Sequence, residues 1–371
     1  MIIETQSGKR GIFVKKSVVE EKLISKKKPF FPISKALMHF LKKYDRWMES
    51  SICYEDLLRF SGSVIVYDKN DSDTLWVRVY YSDPDREEID YHLKTIYTQL
   101  YSDGGDSSLP DLNIDSIDYC TFGNSKPFRI KIRNILNDNF TYFYVKKTDA
   151  SRVYGLEFEH ILSPYNLNYM VNHDTLIEEH IAGIPGDVFI KDYLPECSAA
   201  EKAQIAKEYV KFNERCMIRL LGDMRAYNYV VIPIHDFDHV IYKIRAIDFD
   251  QQCFEGKLSV YRPQFFKENY PLMIVIKDKL NHDSIVQYKI EERSIVSRRL
   301  INSGNRIDFL VNIMKNDPLT IPENLENLKK EIFVFTKDDA FTKSKSMGEL
   351  MQAAFDYMRR NYQNVSLGDL L

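Results

Sequence analysis

Apolar residues recur along this chain at helical spacing in some stretches and crowd into β-prone runs in others, and the order of these patterns predicts the elements. After the breaker stretch Pro29-Phe30-Phe31-Pro32, the residues Leu37, Phe40, Leu41, Tyr44 and Met48 fall on one face of a helix. Two β-rich runs follow, 63–67 and 75–81, joined by a polar turn, which predicts a hairpin. Asp83-Pro84 supplies an N-cap and a first-turn proline for a helix striped by Ile89, Leu93, Ile96 and Leu100 and ended at Gly104-Gly105. A second β-rich block spans 117–147, where 128–132 and 140–147 flank the turn Asn137-Asp138-Asn139.

A short helix is expected around 152–162, then a buried strand from Asp174 running into Gly183. Beyond it helix dominates. Ser198 and Glu201 form a capping box for a helix carrying Ile205, Tyr209, Phe212, Cys216, Met217 and Leu220. Residues 227–250 read as two strands around a loop at 235–239, and helices, including 323–332 and 347–362, fill the rest.

Composition narrows the class. Hydrophobic residues at 44% and charged residues at 28% are those of a folded globular chain. No apolar run approaches the roughly 18 residues of a membrane span, so a cytoplasmic protein without a membrane partner is expected. The five cysteines form no Cys-x-x-Cys pair, and no histidine spacing suggests zinc, so any metal should be held by oxygen. The net charge of −3 hides an asymmetry. Residues 1–50 hold 12 Lys and Arg against 5 Asp and Glu, a net +7, leaving −10 on the remainder. A basic arm docked on its own acidic body is favoured over a nucleic-acid contact, because no groove-reading motif accompanies it.

The informative stretch is Leu220-Leu-Gly-Asp-Met-Arg-Ala-Tyr-Asn228, followed by a hairpin and then Arg245-Ala-Ile-Asp-Phe-Asp250. A helix ending in Gly-Asp, an Asn five residues after that Asp, a hairpin and an Ile-Asp-Phe together resemble the core of the protein-kinase-like superfamily. The Gly-Asp loop is most similar to its aminoglycoside and choline kinase branch. The resemblance implies an α+β, two-lobed fold: an N-terminal basic arm and β-β-α accessory region over 1–110, a β-rich small lobe over 111–182 and a helical large lobe over 183–371. It implies an ATP- and Mg²⁺-dependent phosphotransferase acting on a hydroxyl of a small molecule or protein. Asp223 would take the acceptor's proton, Arg225 would face the transferred phosphate, and Asn228 and Asp248 would hold Mg²⁺ through oxygen.

The upstream residues take roles by chain order. Lys146, with Lys147 as alternate, fits the phosphate-contacting lysine, and Glu157, with Glu159 as alternate, the glutamate paired to it. Glu179, His180 and Ile181 fit the backbone segment that would meet the adenine. Two features depart from the pattern. The phosphate-covering loop after Cys120 offers only Gly123, and Asp250 stands where protein kinases carry glycine. A non-catalytic pseudokinase scaffold and nucleotidyl transfer from ATP are the alternative readings.

Overall fold

Side-chain caps start several helices where the sequence expects them. Ser34 accepts from the Leu37 amide to open α1 (Lys35–Lys43), and both arms of the Ser198–Glu201 capping box form. The second long helix begins one residue earlier than expected: Asp83 is its first residue, and the Ser82 carbonyl receives the Arg86 amide. The computed structural model describes residues 28–49, 52–101, 106–122, 125–237 and 239–362. Most of the basic arm, the expected stop at Gly104-Gly105 and Gly123 lie outside the described residues.

The architecture is mixed α+β. Seven strands form one sheet in the N-terminal half: β1 (Gly62–Tyr67), β2 (Asp73–Tyr80), β3 (Leu112–Cys120), β4 (Phe128–Asn134), β5 (Phe140–Lys147), β6 (Tyr169–Asn172) and β7 (Thr175–Glu179). Their order is β1-β2-β3-β4-β5-β7-β6, with every neighbouring pair antiparallel. A small second sheet, β10-β9-β8, comprises β8 (Ile184–Pro185), β9 (Tyr229–Asp236) and β10 (His239–Ala246).

The helices α2 (Asp83–Tyr101) and α3 (Ala150–Leu162) lie within the β-rich half of the chain. The C-terminal half contains the single turn α4 (Gly186–Val188), α5 (Ala199–Arg219), α6 (Tyr270–Lys279), α7 (His282–Asn302), α8 (Gly304–Met314), α9 (Pro322–Thr336), α10 (Asp339–Lys343) and α11 (Met347–Asn361).

The expected boundary near residue 110 runs through a continuous layer. β2 pairs with β3 through Trp76–Cys120, Val77–Tyr119 and Arg78–Asp118, and α2 shares one core with Ile114, Ile130 and Phe143. Ile89, Leu93, Ile96 and Leu100 of α2 are all buried. At about 1.5–3 kcal/mol per side chain their burial contributes about 6–12 kcal/mol, as much as the net stability of a typical domain. The β-β-α unit is therefore integral to the sheet rather than an appendage. The chain before it is equally embedded: Phe31, Leu37, Phe40 and Leu41 belong to the other core, together with α3, α5 and α8.

α3 packs in the core shared with the C-terminal helices, with all but one of its residues buried. Gly155 lets it lie close to the segment after β10. A Cβ there would come within 3.0 Å of Phe249 Cβ and 3.2 Å of Gln252 Cβ.

Candidate active site

Asp223 sits just beyond the end of α5, where Leu220 leaves the helix in the left-handed conformation, φ 52°. Asp223 is itself left-handed at φ 59°, an arrangement that a non-glycine residue holds only when its surroundings fix it. Three bonds do so. Its amide donates to the Val260 carbonyl at 3.3 Å, and its own carbonyl accepts from the Arg225 amide at 2.8 Å and from Asn228 Nδ2 at 2.7 Å. The side chain accepts from Arg225 Nε at 3.0 Å, and Arg225 Nη1 donates onward to Glu268 Oε1 at 2.7 Å. Burial pushes the Asp223 carboxyl up to about 7; the charges of Asp248 and Glu268 add to the shift, and Arg225 opposes it.

The strand β10 brings Asp248 beside this loop. The Ile247 amide donates to the Asn228 carbonyl at 3.0 Å, so the expected metal-holding residues stand on adjacent backbones. Asn228 is buried, and its amide nitrogen is spent on Asp223, which leaves its oxygen as the donor toward a cation. Asp248 Oδ1 meets Arg152 Nη1 at 2.8 Å, and the side chain is 34% exposed. Among the described residues no group of three or more His, Cys, Asp and Glu gathers as a metal cage. Two hard oxygen donors nevertheless fit Mg²⁺, which usually takes one or two protein oxygens and completes its shell with phosphate and water.

Lys146 and Lys147 leave β5 in opposite directions, as neighbours on a strand must. Lys147 turns outward to Glu55 at 2.6 Å and Asp174 at 3.3 Å, whereas Lys146 is buried and bonded to Glu178. The expected partner Glu157 is not its partner. Glu157 is fully buried and accepts from Arg306 at 2.8–3.1 Å and from the Tyr169 hydroxyl; the alternate, Glu159, bonds Arg219 of α5. Helical phase explains the correction. Residues 152, 155 and 159 share one face of α3, which meets Asp248, Gln252 and Arg219, while 157 lies about 140° away.

Arg152 therefore holds the position on α3 that faces Asp248. It is wholly buried, with Asp250 Oδ1 at 3.5 Å from its Nη2. Burial opposes its charge, but Asp248, Asp250, Glu178 and Asp149 together hold its pKa above the usual arginine value. Lys28 completes the cluster. Its Nζ lies 2.9 Å from Asp149 Oδ2 and 3.5 Å from Asp250 Oδ1, and donates to the Asp250 carbonyl at 2.7 Å. Burial would raise the Asp250 pKa, but Arg152 and Lys28 outweigh it and hold the carboxylate ionised. The sequence reading missed Arg152, Glu178, Lys28 and Glu268. Glu178 alone had a signal: a glutamate within an apolar strand covered on both faces needs a cation beside it.

Glu179, His180 and Ile181 end β7 and lead toward β8. The Glu179 amide is spent on the Asn168 carbonyl at 3.0 Å, and burial raises the pKa of its side chain. The His180 side chain is exposed, with its ring 3.1 Å from the Tyr144 hydroxyl, and Ile181 is buried. The loop after Cys120 joins β3 to β4. A scan against protein-family models and a search of curated proteins find no match to this chain.

Proposed function

We propose that this chain is an ATP- and Mg²⁺-dependent phosphotransferase of the protein-kinase-like fold that acts on a hydroxyl acceptor, a small molecule or a protein. The reading is carried by one observation: a strained, braced aspartate with a carboxyl titrating near 7 stands beside a part-exposed aspartate paired with the buried Arg152, whose charge is also felt by Glu178, the partner of a buried lysine. In this reading Asp223 receives the acceptor's hydroxyl proton, for which a base titrating near neutrality is suited. Arg225, anchored by Glu268, orients Asp223 and presents positive charge beside it. Asn228 and Asp248 hold Mg²⁺, and Lys146 meets phosphate. The nucleotide with its metal supplies the phosphoryl group and neutralises its charge.

Arg152 favours a second reading. Its guanidinium already gives Asp248 a cation, as a non-catalytic scaffold binding nucleotide without metal would require. One experiment separates the readings. The wild type, Asp223→Asn and Asp248→Asn are incubated with γ- and α-labelled ATP in source lysate, and nucleotide binding is followed by thermal shift with and without Mg²⁺. Phosphotransfer predicts γ-label in the acceptor, a loss of about 10²–10⁴ in rate for Asp223→Asn with binding kept, and weaker Mg²⁺-dependent binding for Asp248→Asn. Binding without turnover selects the scaffold, and α-label in the acceptor selects nucleotidyl transfer. Absence of any nucleotide-dependent shift defeats all of these.

A further inference from the structure

The two edges of the seven-stranded sheet are treated differently. At β6 the backbone of residues 46–48 runs alongside: the Val171 amide donates to the Arg46 carbonyl at 2.8 Å, and the Met48 amide to the Val171 carbonyl at 2.9 Å. At the opposite edge β1 pairs with β2, and among the described residues no strand lies beyond it. Its sequence, Gly62-Ser-Val-Ile-Val-Tyr67, carries neither a charge nor a proline, two devices that keep such an edge from pairing, and its one irregularity falls at the end, between Val66 and Tyr67. Val64, Ile65 and Tyr67 are 59%, 44% and 56% exposed. An edge of this kind offers backbone donors and acceptors to an extended, apolar segment.

The charges at its two ends select the occupant. Beyond Tyr67 the turn 68–73 holds Asp68, Asp71 and Asp73 against Lys69. At the Gly62 end Asp83, Asp85, Glu87 and Glu88 of α2 outnumber Arg59 and Arg86; Arg59 lies 3.4 Å from Asp85 and 3.2 Å from Glu88, which holds the start of α2 beside the start of β1. Antiparallel pairing of β1 with a second copy of itself would set one acidic end against the other. A complementary strand is apolar in its middle and basic at both ends. The basic arm contains that pattern in Lys9-Arg10-Gly-Ile-Phe-Val-Lys15-Lys16, four cations flanking the β-prone Ile12, Phe13 and Val14.

The arm is also long enough. Lys28 is held at Asp149, two residues beyond β5. The pairings Val145–Phe128, Phe128–Tyr119, Cys120–Trp76 and Trp76–Val66 put that end of β5 at the same end of the sheet as Tyr67. A strand added outside β1 would lie five strand spacings from β5, about 24 Å. The eleven residues 17–27 reach about 36 Å when extended.

We propose that residues 9–16 dock on β1 of the same molecule as an eighth strand. Main-chain hydrogen bonds join the segment to β1, and its two basic pairs meet the acidic ends of the edge. The docking does not depend on the phosphotransfer reading.

The test follows hydrogen exchange of the β1 amides that face away from β2, in the full chain and at several protein concentrations. In the wild type these amides should exchange at least about five-fold more slowly than in Phe13→Pro, the worth of one net hydrogen bond. A variant with Lys9, Arg10, Lys15 and Lys16 all changed to Glu should lose the same protection, and Phe13→Tyr should keep it. The protection should not vary with protein concentration, since the strand comes from the same molecule. Equal exchange in the wild type and Phe13→Pro, protection retained after charge reversal, or protection that grows with concentration, as when a second copy supplies the strand, would overturn the proposal.

Discussion

Replacing Asp223 with Asn is expected to stabilise the protein above pH 7 while removing its proposed base. In the folded chain the Asp223 carboxyl is raised from 3.8 to about 7. Across that window the folded protein keeps a proton that the unfolded chain has released. The contribution of this group is therefore fully present below about pH 4 and is lost as pH rises through 7. At 1.36 kcal/mol per pH unit the loss is about 4 kcal/mol. Asp223 is 22% exposed, so solvent screens only part of it. Asparagine stays neutral and does not bear this cost. With an unfolding entropy of about 2.1 cal/mol/K per residue over 371 residues, about 4 kcal/mol corresponds to a Tm gain of about 5 °C at pH 8. At pH 4 the variant and wild type should melt together. Differential scanning calorimetry from pH 4 to 8 measures both curves, and the difference between them isolates Asp223 from every other titrating group. Parallel curves, or a variant less stable at pH 8, would refute the buried-carboxyl argument.

Arg152→Gln leaves Asp248 and Asp250 facing each other without their shared cation, and should cost about 3 kcal/mol in urea unfolding, the low end for breaking a buried pair because both carboxylates are partly exposed. A cost below 1 kcal/mol would mean that the cluster is already solvated. Gly155→Ala gains helix propensity of about 1 kcal/mol but drives a methyl against Phe249 and Gln252, for a net loss of about 1 kcal/mol and weaker nucleotide binding; a stabilised variant would show that α3 has room to move. A truncation beginning at Leu112 removes β1, β2 and α2 from the shared core and should yield insoluble chain, whereas a soluble, cooperatively melting product would restore a boundary near residue 110.

Elements whose signals are local were legible in the sequence. The hairpin of β1 and β2, the Ser198 capping box and the stripe of α2 depend on neighbours a few residues away, and each forms close to its expected span. The Gly-Asp loop was legible for the same reason, since Asp223, Arg225 and Asn228 contact one another within five residues. Contacts across the chain were not. Glu157 and Arg306 are 149 residues apart, and nothing near Glu157 marks it as the partner of an arginine on α8 rather than of Lys146. The pairing across residue 110 was hidden likewise, because the polar stretch after α2 reads as a linker although the strands on either side of it pair.

The departure from the expected lysine–glutamate pair is consistent with how the charges are distributed. Lys146, Arg152 and Lys28 face Glu178, Asp248, Asp250 and Asp149, which is three cations against four carboxylates and one net negative charge. In a part-buried cluster that charge is weakly screened, so it disfavours a bare polyphosphate and favours a divalent cation. On the proposed reading, a nucleotide would be better received beside this cluster with its metal than without it. Were Glu157 turned inward instead, it would add a fifth carboxylate, and Arg306 would lose the partner that fixes α8 against α3. Swapping the helix glutamate for Arg152 keeps the cluster close to neutral while α3 still ties the carboxylates after β10 to the sheet that carries Lys146.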